Sequence, residues 1–184
     1  HGGDVNDKAT PFVYFPYETE EGVRDQARGG AASLSLPYRV RSFAKNGFYS
    51  WAAQCWIPAL LLERGGQGMG SEREIEAYKE NVLELMAHLK MTEMKKNVPE
   101  EQEEISQSYY LEAPERGFWY PAVKEAGQII KKGELLGQLK SMDGTLIASY
   151  YAEAKGVILY YTVSLGVQAG DPLIAYGSLE SGLM

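Results

Sequence analysis

One stretch constrains the fold more than any other: an apolar run, a glycine-rich turn and an amphipathic helix in direct succession. Trp56 to Leu62 is the longest apolar run in the chain. Together with Glu63 it predicts a buried strand over Ile57–Glu63. The run is far shorter than the ~20 apolar residues that a membrane-spanning helix needs. Gly65-Gly66-Gln67-Gly68-Met69-Gly70 then predicts a flexible turn. Ser71-Glu72-Arg73-Glu74 has the Ser-x-x-Glu form of a capping box, in which each side chain satisfies an orphan backbone amide. Ile75, Tyr78, Val82, Leu85, Met86 and Leu89 follow at helical spacing, which predicts an amphipathic helix. Strand, turn and helix in this order belong to an α/β architecture.

The preceding residues fit that class. Phe12-Val13-Tyr14-Phe15 predicts a short strand bounded by Pro11 and Pro16. Thr19 to Ala32 predicts a surface helix with an acidic first turn, weakened at its end by Gly29-Gly30. Arg39 to Phe43 alternates polar and apolar residues, as a half-exposed strand does, and Phe48 to Trp56 suits a short helix. The composition changes after Met94. An acidic, proline-containing stretch at 95–108 reads as a linker, dividing a first domain at 1–94 from a second at 109–184.

The second region carries a pseudo-repeat. Gly117-Phe118-Trp119-Tyr120 leads to Gly127 and Gly133; Gly156-Val157-Ile158-Leu159 leads to Gly166 and Gly170. Glycines at matching offsets mark turns between short strands. Two such halves predict a small β-barrel or sandwich with approximate two-fold symmetry.

The formal net charge of −7 argues against a nucleic-acid partner, which would call for clustered Lys and Arg. A single cysteine, Cys55, excludes an internal disulfide framework, so a cytoplasmic location is expected. Neither a membrane partner nor a signal peptide is read from the sequence.

Two residues stand out as candidates for chemistry. Neutral imidazole is a common zinc ligand, and His1 is followed by two glycines that suit a tight loop approaching an ion. On residue type alone, though, a free terminal residue is the better reading of His1. Glu63 sits at the expected carboxyl end of a buried strand, where open α/β sheets place ligand sites. It suits a general base there, and equally a structural carboxylate paired with Arg64 or water. His88 falls off the apolar stripe of its helix and reads as a surface residue. The Gly65–Gly70 run lacks the Lys-Ser or Lys-Thr of a phosphate loop. Arg39 and Arg41 are cationic candidates for a substrate carboxylate, with exposed salt bridges the simpler reading. Tyr150-Tyr151 and Tyr160-Tyr161 suit strands with one ring in and one out.

Taken together, three blocks resemble the C-terminal half of the succinylglutamate desuccinylase/aspartoacylase family, relatives of the zinc carboxypeptidases. They are His1-Gly2-Gly3-Asp4 with Pro11-Phe12-Val13-Tyr14, then Ile57 to Gly66, then Gly117 to Gly177. Their order and spacing carry the match. The resemblance implies a partial carboxypeptidase-like mixed sheet with flanking helices, followed by the barrel-like β domain. It implies an enzyme: a zinc-dependent hydrolase of an amide bond in an N-acyl amino acid or similar small carboxylate. In that reading His1 is the third zinc ligand and Glu63 the acid/base, with one zinc ion per full-length chain. The family's His-x-x-Glu pair and its Asn-Arg substrate segments are implied upstream and are not among these 184 residues. The chain alone is therefore expected to be inactive, and to self-associate or hold the missing N-terminal half. Arg64 stands where the family usually has a small or apolar residue.

The β region also resembles lipoyl and biotinyl carrier domains, through Val123-Lys124-Glu125-Ala126-Gly127 and Lys132-Gly133-Glu134-Leu135-Leu136. The expected hairpin tip is Ser141-Met142-Asp143-Gly144, with Lys140 beside it but no Met-Lys pair, so modification is not expected. A non-catalytic binding or assembly module built on this domain is the alternative to the hydrolase.

Overall fold

A computed structural model of the chain describes residues 1–93 and 102–180. It divides into two compact units. The first comprises His1, Pro11–Arg64 and Gly70–Ile105; the second comprises Gly2–Thr10, Gly65–Met69 and Ser106–Met184. Residues 95–101 of the expected linker lie outside the described residues. Two short strands, β4 (Glu103–Ile105) and β5 (Ser108–Glu112), fall in and just beyond the rest of it.

The first unit is a mixed α/β layer. Strand β1 (Asp7–Pro16) pairs in parallel with β2 (Tyr38–Ser42), from Phe12 opposite Tyr38 to Pro16 opposite Ser42. On its far side β2 pairs in parallel with β4. Strand β3 (Leu61–Gly66) also pairs with β1. Side chains alternate along β1. Val13 and Phe15 pack with Ala27 and Ala31 of α1 (Glu21–Ala32), and with Leu34, Leu36, Leu60, Leu62 and Leu85. Tyr14 stacks instead on Tyr49 of α2 (Phe48–Gln54), with ring centroids 6.5 Å apart. Each fully buried Phe or Leu contributes roughly 1.5–3 kcal/mol.

Several expectations change on folding. Pro11 lies inside β1 rather than at its end. It falls between the residues that pair with one neighbour (Asp7–Ala9) and those that pair with β2. Helix α1 continues through Gly29-Gly30 to Ala32, and its start is capped by Glu20, whose carboxylate accepts from Val23 N at 3.0 Å. The strand expected at Ile57–Glu63 begins at Leu61 and ends at Gly66. Trp56 takes a φ of 65° after α2, Ile57 N turns back to Ala52 O, and Pro58 offers no N–H. Trp56 and Ile57 are exposed, and β3 is half-buried rather than sealed on both faces. Glu63 is therefore mid-strand.

The largest change concerns α3 (Glu72–His88). Ser71 supplies its half of the expected capping box, its hydroxyl accepting from Glu74 N at 3.2 Å, while the Glu74 carboxylate meets Arg64. Yet the buried residues of α3 are Asn81 and Glu84, while Ile75, Val82 and Leu89 are half or more exposed. The helix turns a polar face inward because that face meets complementary groups, described below.

The second unit is all β. One ladder runs from Asp7–Ala9 of β1 to β10 (Gly156–Thr162), then β12 (Pro172–Ser178), then β5, all antiparallel. A second sheet has the order β11 (Gly166–Val167), β6 (Gly117–Pro121), β8 (Leu135–Lys140), β9 (Leu146–Tyr151). The pseudo-repeat appears as an exchange. Each repeat gives long, short and long strands: β6, β7 (Ile129–Ile130), β8, then β10, β11, β12. The short strand of each repeat pairs with the first strand of the other, β7 with β10 and β11 with β6.

Among the described residues no sheet closes into a barrel, which corrects that expectation. Closure needs hydrogen bonds between the first and last strands. Here the short terminal strand β11 has two residues and pairs only with β6, leaving β9 at the other edge. Inside, Trp119 is buried, its Nε1 donating to Thr162 O at 3.1 Å. Gly137 exists to admit that ring: a Cβ there would lie 2.3 Å from Trp119 Cη2. The expected hairpin tip is formed, with Gly144 at φ 87° and Asp143 accepting from Thr145 N at 3.0 Å. Lys140 lies on β8 with its ammonium 5.1 Å from the Tyr120 ring centroid. Of the tyrosine pairs, Tyr161 is buried with its hydroxyl on Lys124 O, and Tyr151 is exposed.

Candidate functional site

The first unit brings His1 and Glu63 together. The backbone of His1 lies against β3: its N donates to Leu62 O, and Arg64 N donates to His1 O at 3.2 Å. These bonds flank Glu63 and aim the imidazole at its carboxylate. His1 Nδ1 stands 3.0 Å from Glu63 Oε2. The Glu63 side chain is 15% exposed and that of His1 57%, so the pair lies at the surface with the carboxylate the more sheltered of the two.

Tyr78 of α3 closes one side, its hydroxyl donating to His1 O. Burial first, and the Glu63 carboxylate second, push the Tyr78 hydroxyl up to about 12. The phenol therefore stays protonated and keeps its donor on the His1 carbonyl throughout the neutral range.

Arg64 points to the opposite side of the strand from Glu63, as the two-residue period of a strand demands. Its Nε donates to Glu74 Oε2 at 2.7 Å, and its Nη1 to Asn81 Oδ1 at 3.3 Å. Asn81 Nδ2 in turn donates to Glu84 Oε2 at 3.0 Å, and the same oxygen accepts Ser35 N at 2.8 Å. This chain explains the polar inward face of α3. It is a network that fixes the helix, and through Arg64 the strand that carries Glu63. Partnered in this way, buried polar groups are tolerated; left unpaired, each costs about 1–3 kcal/mol.

Arg64, one of the alternative partners considered for Glu63, pairs with Glu74. Tyr78, Asn81 and Glu84 were not singled out from the sequence. Their signal was present: Glu74, Tyr78, Asn81, Glu84 and His88 recur at three- and four-residue spacing, a second stripe beside the apolar one.

The other candidates fall elsewhere. Arg39 and Arg41 of β2 donate through Nε to the two oxygens of Glu104, at 2.9 and 2.8 Å, and Arg28 adds a third bond at 2.7 Å. Both arginines serve β4 rather than the His1–Glu63 pair. His88 is half-buried and lines an apolar groove with Leu60, Leu85 and Leu89. Among the described residues no three His, Cys, Asp or Glu side chains gather closely enough to hold a metal ion. The residues present therefore do not by themselves fit zinc. Nor is any helix among them long and apolar enough to cross a membrane.

Comparison with known proteins sets this geometry in context. No family model matches the chain, and no curated protein matches it. Solved structures do. The product-bound ectoine utilization protein EutE (DoeB) from Ruegeria pomeroyi matches with a TM-score of 0.83 at 17% identity, over 97% of this chain and 56% of its own. A succinylglutamate desuccinylase from Silicibacter sp. TM1040 matches with a TM-score of 0.79 at 17% identity, over 98% of this chain and 56% of its own. A succinylglutamate desuccinylase/aspartoacylase from Rhodobacter sphaeroides gives 0.78 at 18%, over 95% and 55%. At this identity the likeness shows a shared fold. The chain spans a little over half the length of each of these structures.

Proposed function

We propose that this chain is part of a zinc-dependent hydrolase of the succinylglutamate desuccinylase/aspartoacylase type, cleaving an amide bond in an N-acyl amino acid or similar small carboxylate. The observation that carries the reading is the 3.0 Å approach of His1 Nδ1 to Glu63 Oε2, on a fold shared with structures of that description. His1 supplies one ligand, and the others come from outside these 184 residues, which alone are inactive. A cytoplasmic location and association with the rest of the fold, or with further copies, belong to the same proposal.

Glu63 performs the proton transfers in this reading. Its carboxylate takes a proton from the attacking water and returns it to the leaving amine nitrogen as the C–N bond breaks. The hydrogen bond from Tyr78 to the His1 carbonyl and the Arg64–Glu74–Asn81 network hold the carboxylate and imidazole in register. Such positioning matters because small displacements of reacting groups are costly in rate.

In the whole protein, Glu63→Gln should lower kcat by roughly 10²–10⁴-fold with zinc content unchanged. His1→Ala should lower zinc content as well as rate. An unaffected rate in Glu63→Gln removes that residue from the mechanism, and unaltered zinc in His1→Ala removes the imidazole from the metal site.

A further inference from the structure

We propose that β9 is a dimerisation edge: it receives β9 of a second copy of this chain, antiparallel and centred on Tyr150, and the two four-stranded sheets join into one. Within the second unit β9 ends its sheet, and among the described residues no strand pairs with its outer edge. Its six residues, Leu146-Ile147-Ala148-Ser149-Tyr150-Tyr151, include no charge, no proline and no glycine. The other edges of this unit are guarded. Strands β7 and β11 have two residues each, and β5 ends at Glu112 with Pro114 close behind. Short edges, charges and prolines are ordinary protections against strand addition, and β9 has none of the three.

The register follows from the bonds and faces of β9. Ala152 N donates to Glu134 O at 2.9 Å and Gly133 N donates to Ala152 O at 2.7 Å, so Ala152 bonds toward the β8 side. Bonding direction alternates along an antiparallel strand, which leaves the N–H and C=O of Tyr151 and Ser149 directed at the open edge. Side chains alternate too. The Tyr150 ring lies edge-on to the buried Trp119 at 5.6 Å, whereas Ser149 Oγ accepts from Gln138 Nε2 at 3.2 Å on the outer face and Tyr151 is 56% exposed. The register shift beside Lys140 places a bulge at Ile147, so residues 148–152 form the regular part of the edge. A two-fold through Tyr150 sets Ser149 of each copy opposite Tyr151 of the other. It uses the outward backbone groups of both residues and keeps the two Trp119-facing sides on one face of the joined sheet. A centre at Ser149 would set the bulged Ile147 against Tyr151 instead.

Charge names the occupant as a second copy. The chain carries a formal net charge of −7, so two copies repel unless they meet through an uncharged segment, and β9 is one. Its ends are complementary under a two-fold. The hairpin tip at one end carries Asp143; the other end lies beside Lys131, Lys132 and Lys155, which outnumber Glu134 and Glu153. Antiparallel pairing brings the tip of each copy toward the basic end of the other, whereas parallel pairing would set the two Asp143 tips together. A self-complementary contact of this kind closes at two copies and covers both open edges at once. It gives the association with further copies in the proposed function a surface, and it rests on no residue of the His1–Glu63 site.

The test is sedimentation velocity of the whole protein, which should run as a dimer. Tyr151→Lys should raise the dissociation constant about tenfold or more while turnover per chain stays unchanged. Adding Ser149→Glu to Tyr151→Lys should restore the dimer, because the two-fold sets position 149 of one copy opposite position 151 of the other. That rescue also shows that the loss in Tyr151→Lys is one of pairing rather than of folding. Three results overturn the inference: a monomeric whole protein, a dimer that Tyr151→Lys leaves intact, or a loss that Ser149→Glu fails to rescue. A protein that forms this dimer and shows no turnover overturns the hydrolase reading and leaves the β9 contact standing.

Discussion

Removing the Glu104 carboxylate should unfold the first unit far more readily than removing any one of its arginines. The Glu104 side chain is 10% exposed, and it accepts from Arg28, Arg39 and Arg41 at 2.7–2.9 Å. These bonds tie β4 to β2 and to α1. The side chains of Arg39 and Arg41 are 20% exposed and that of Arg28 is 50% exposed. A hydrogen bond to a charged group contributes about 1.5–3 kcal/mol, while an exposed pair contributes about 0–1 kcal/mol. Deleting one side of a buried cluster adds the cost of the charges left behind, for a total of about 3–5 kcal/mol. Glu104→Ala should therefore cost about 3–5 kcal/mol, and Arg28→Ala no more than about 1 kcal/mol. Urea denaturation followed by far-UV circular dichroism in the helix band reads the right unit, because the helices α1, α2 and α3 of the described residues lie in it. The midpoint should fall with an unchanged slope. The cluster also sets a pH dependence. Burial raises the Glu104 carboxyl, but hydrogen bonds from three guanidinium groups outweigh it and hold the group below its usual 4.5. A depressed carboxyl contributes stability that is complete above pH 4.5 and is lost as pH falls through the lower folded value. Glu104→Gln should lack that acid-side loss. A cost below about 1 kcal/mol for Glu104→Ala, or an equal cost for Arg28→Ala, would refute the reasoning.

Three further outcomes follow from the same geometry. Arg64→Met leaves Asn81 Oδ1 and Glu74 without their partner and should cost about 2–4 kcal/mol; Asn81→Leu on that background should cost little more, and independent, additive losses would show that no network exists. Gly137→Ala drives a methyl into the buried Trp119 ring and should destabilise the second unit by about 1–3 kcal/mol, read from the near-UV signal of that tryptophan. Tyr78 should ionise near pH 12 in a spectrophotometric titration, well after exposed tyrosines. Stability it contributes is complete below pH 10 and lost as pH rises toward 12, and Tyr78→Phe should flatten that window; a titration near 10 would place the phenol in solvent.

How much was legible in the sequence differs from element to element. Capping of α3 by Ser71 depends on atoms three residues apart, and the structure has it. The glycine pseudo-repeat depends on backbone conformation at fixed offsets, and it reappears as the exchanged pairing of β7 with β10 and β11 with β6. The α/β class followed from the order of strand-like and helix-like segments, and the mixed sheet with flanking helices from the family resemblance. Periodicity, however, reports only that a helix has two kinds of face, and in α3 Ile75, Val82 and Leu89 of the apolar stripe are exposed while Asn81 and Glu84 are buried. The deciding contacts come from Arg64 and Ser35, ten to forty-nine residues away in sequence.

The boundary of β3 was lost for a related reason. Apolar content from Trp56 to Leu62 predicts burial, but a left-handed residue and a proline delay the strand to Leu61. The order and spacing of residues alone thus determined the α/β class, the strand–turn–helix order and the residue types capable of chemistry. Only the tertiary structure decided that His1 meets Glu63 across sixty-two positions, that Arg64 turns away to Glu74, and that Arg39 and Arg41 serve Glu104. Local spacing sets what a segment prefers, whereas such pairings depend on which strand edges and helix faces the folded chain brings within hydrogen-bond reach.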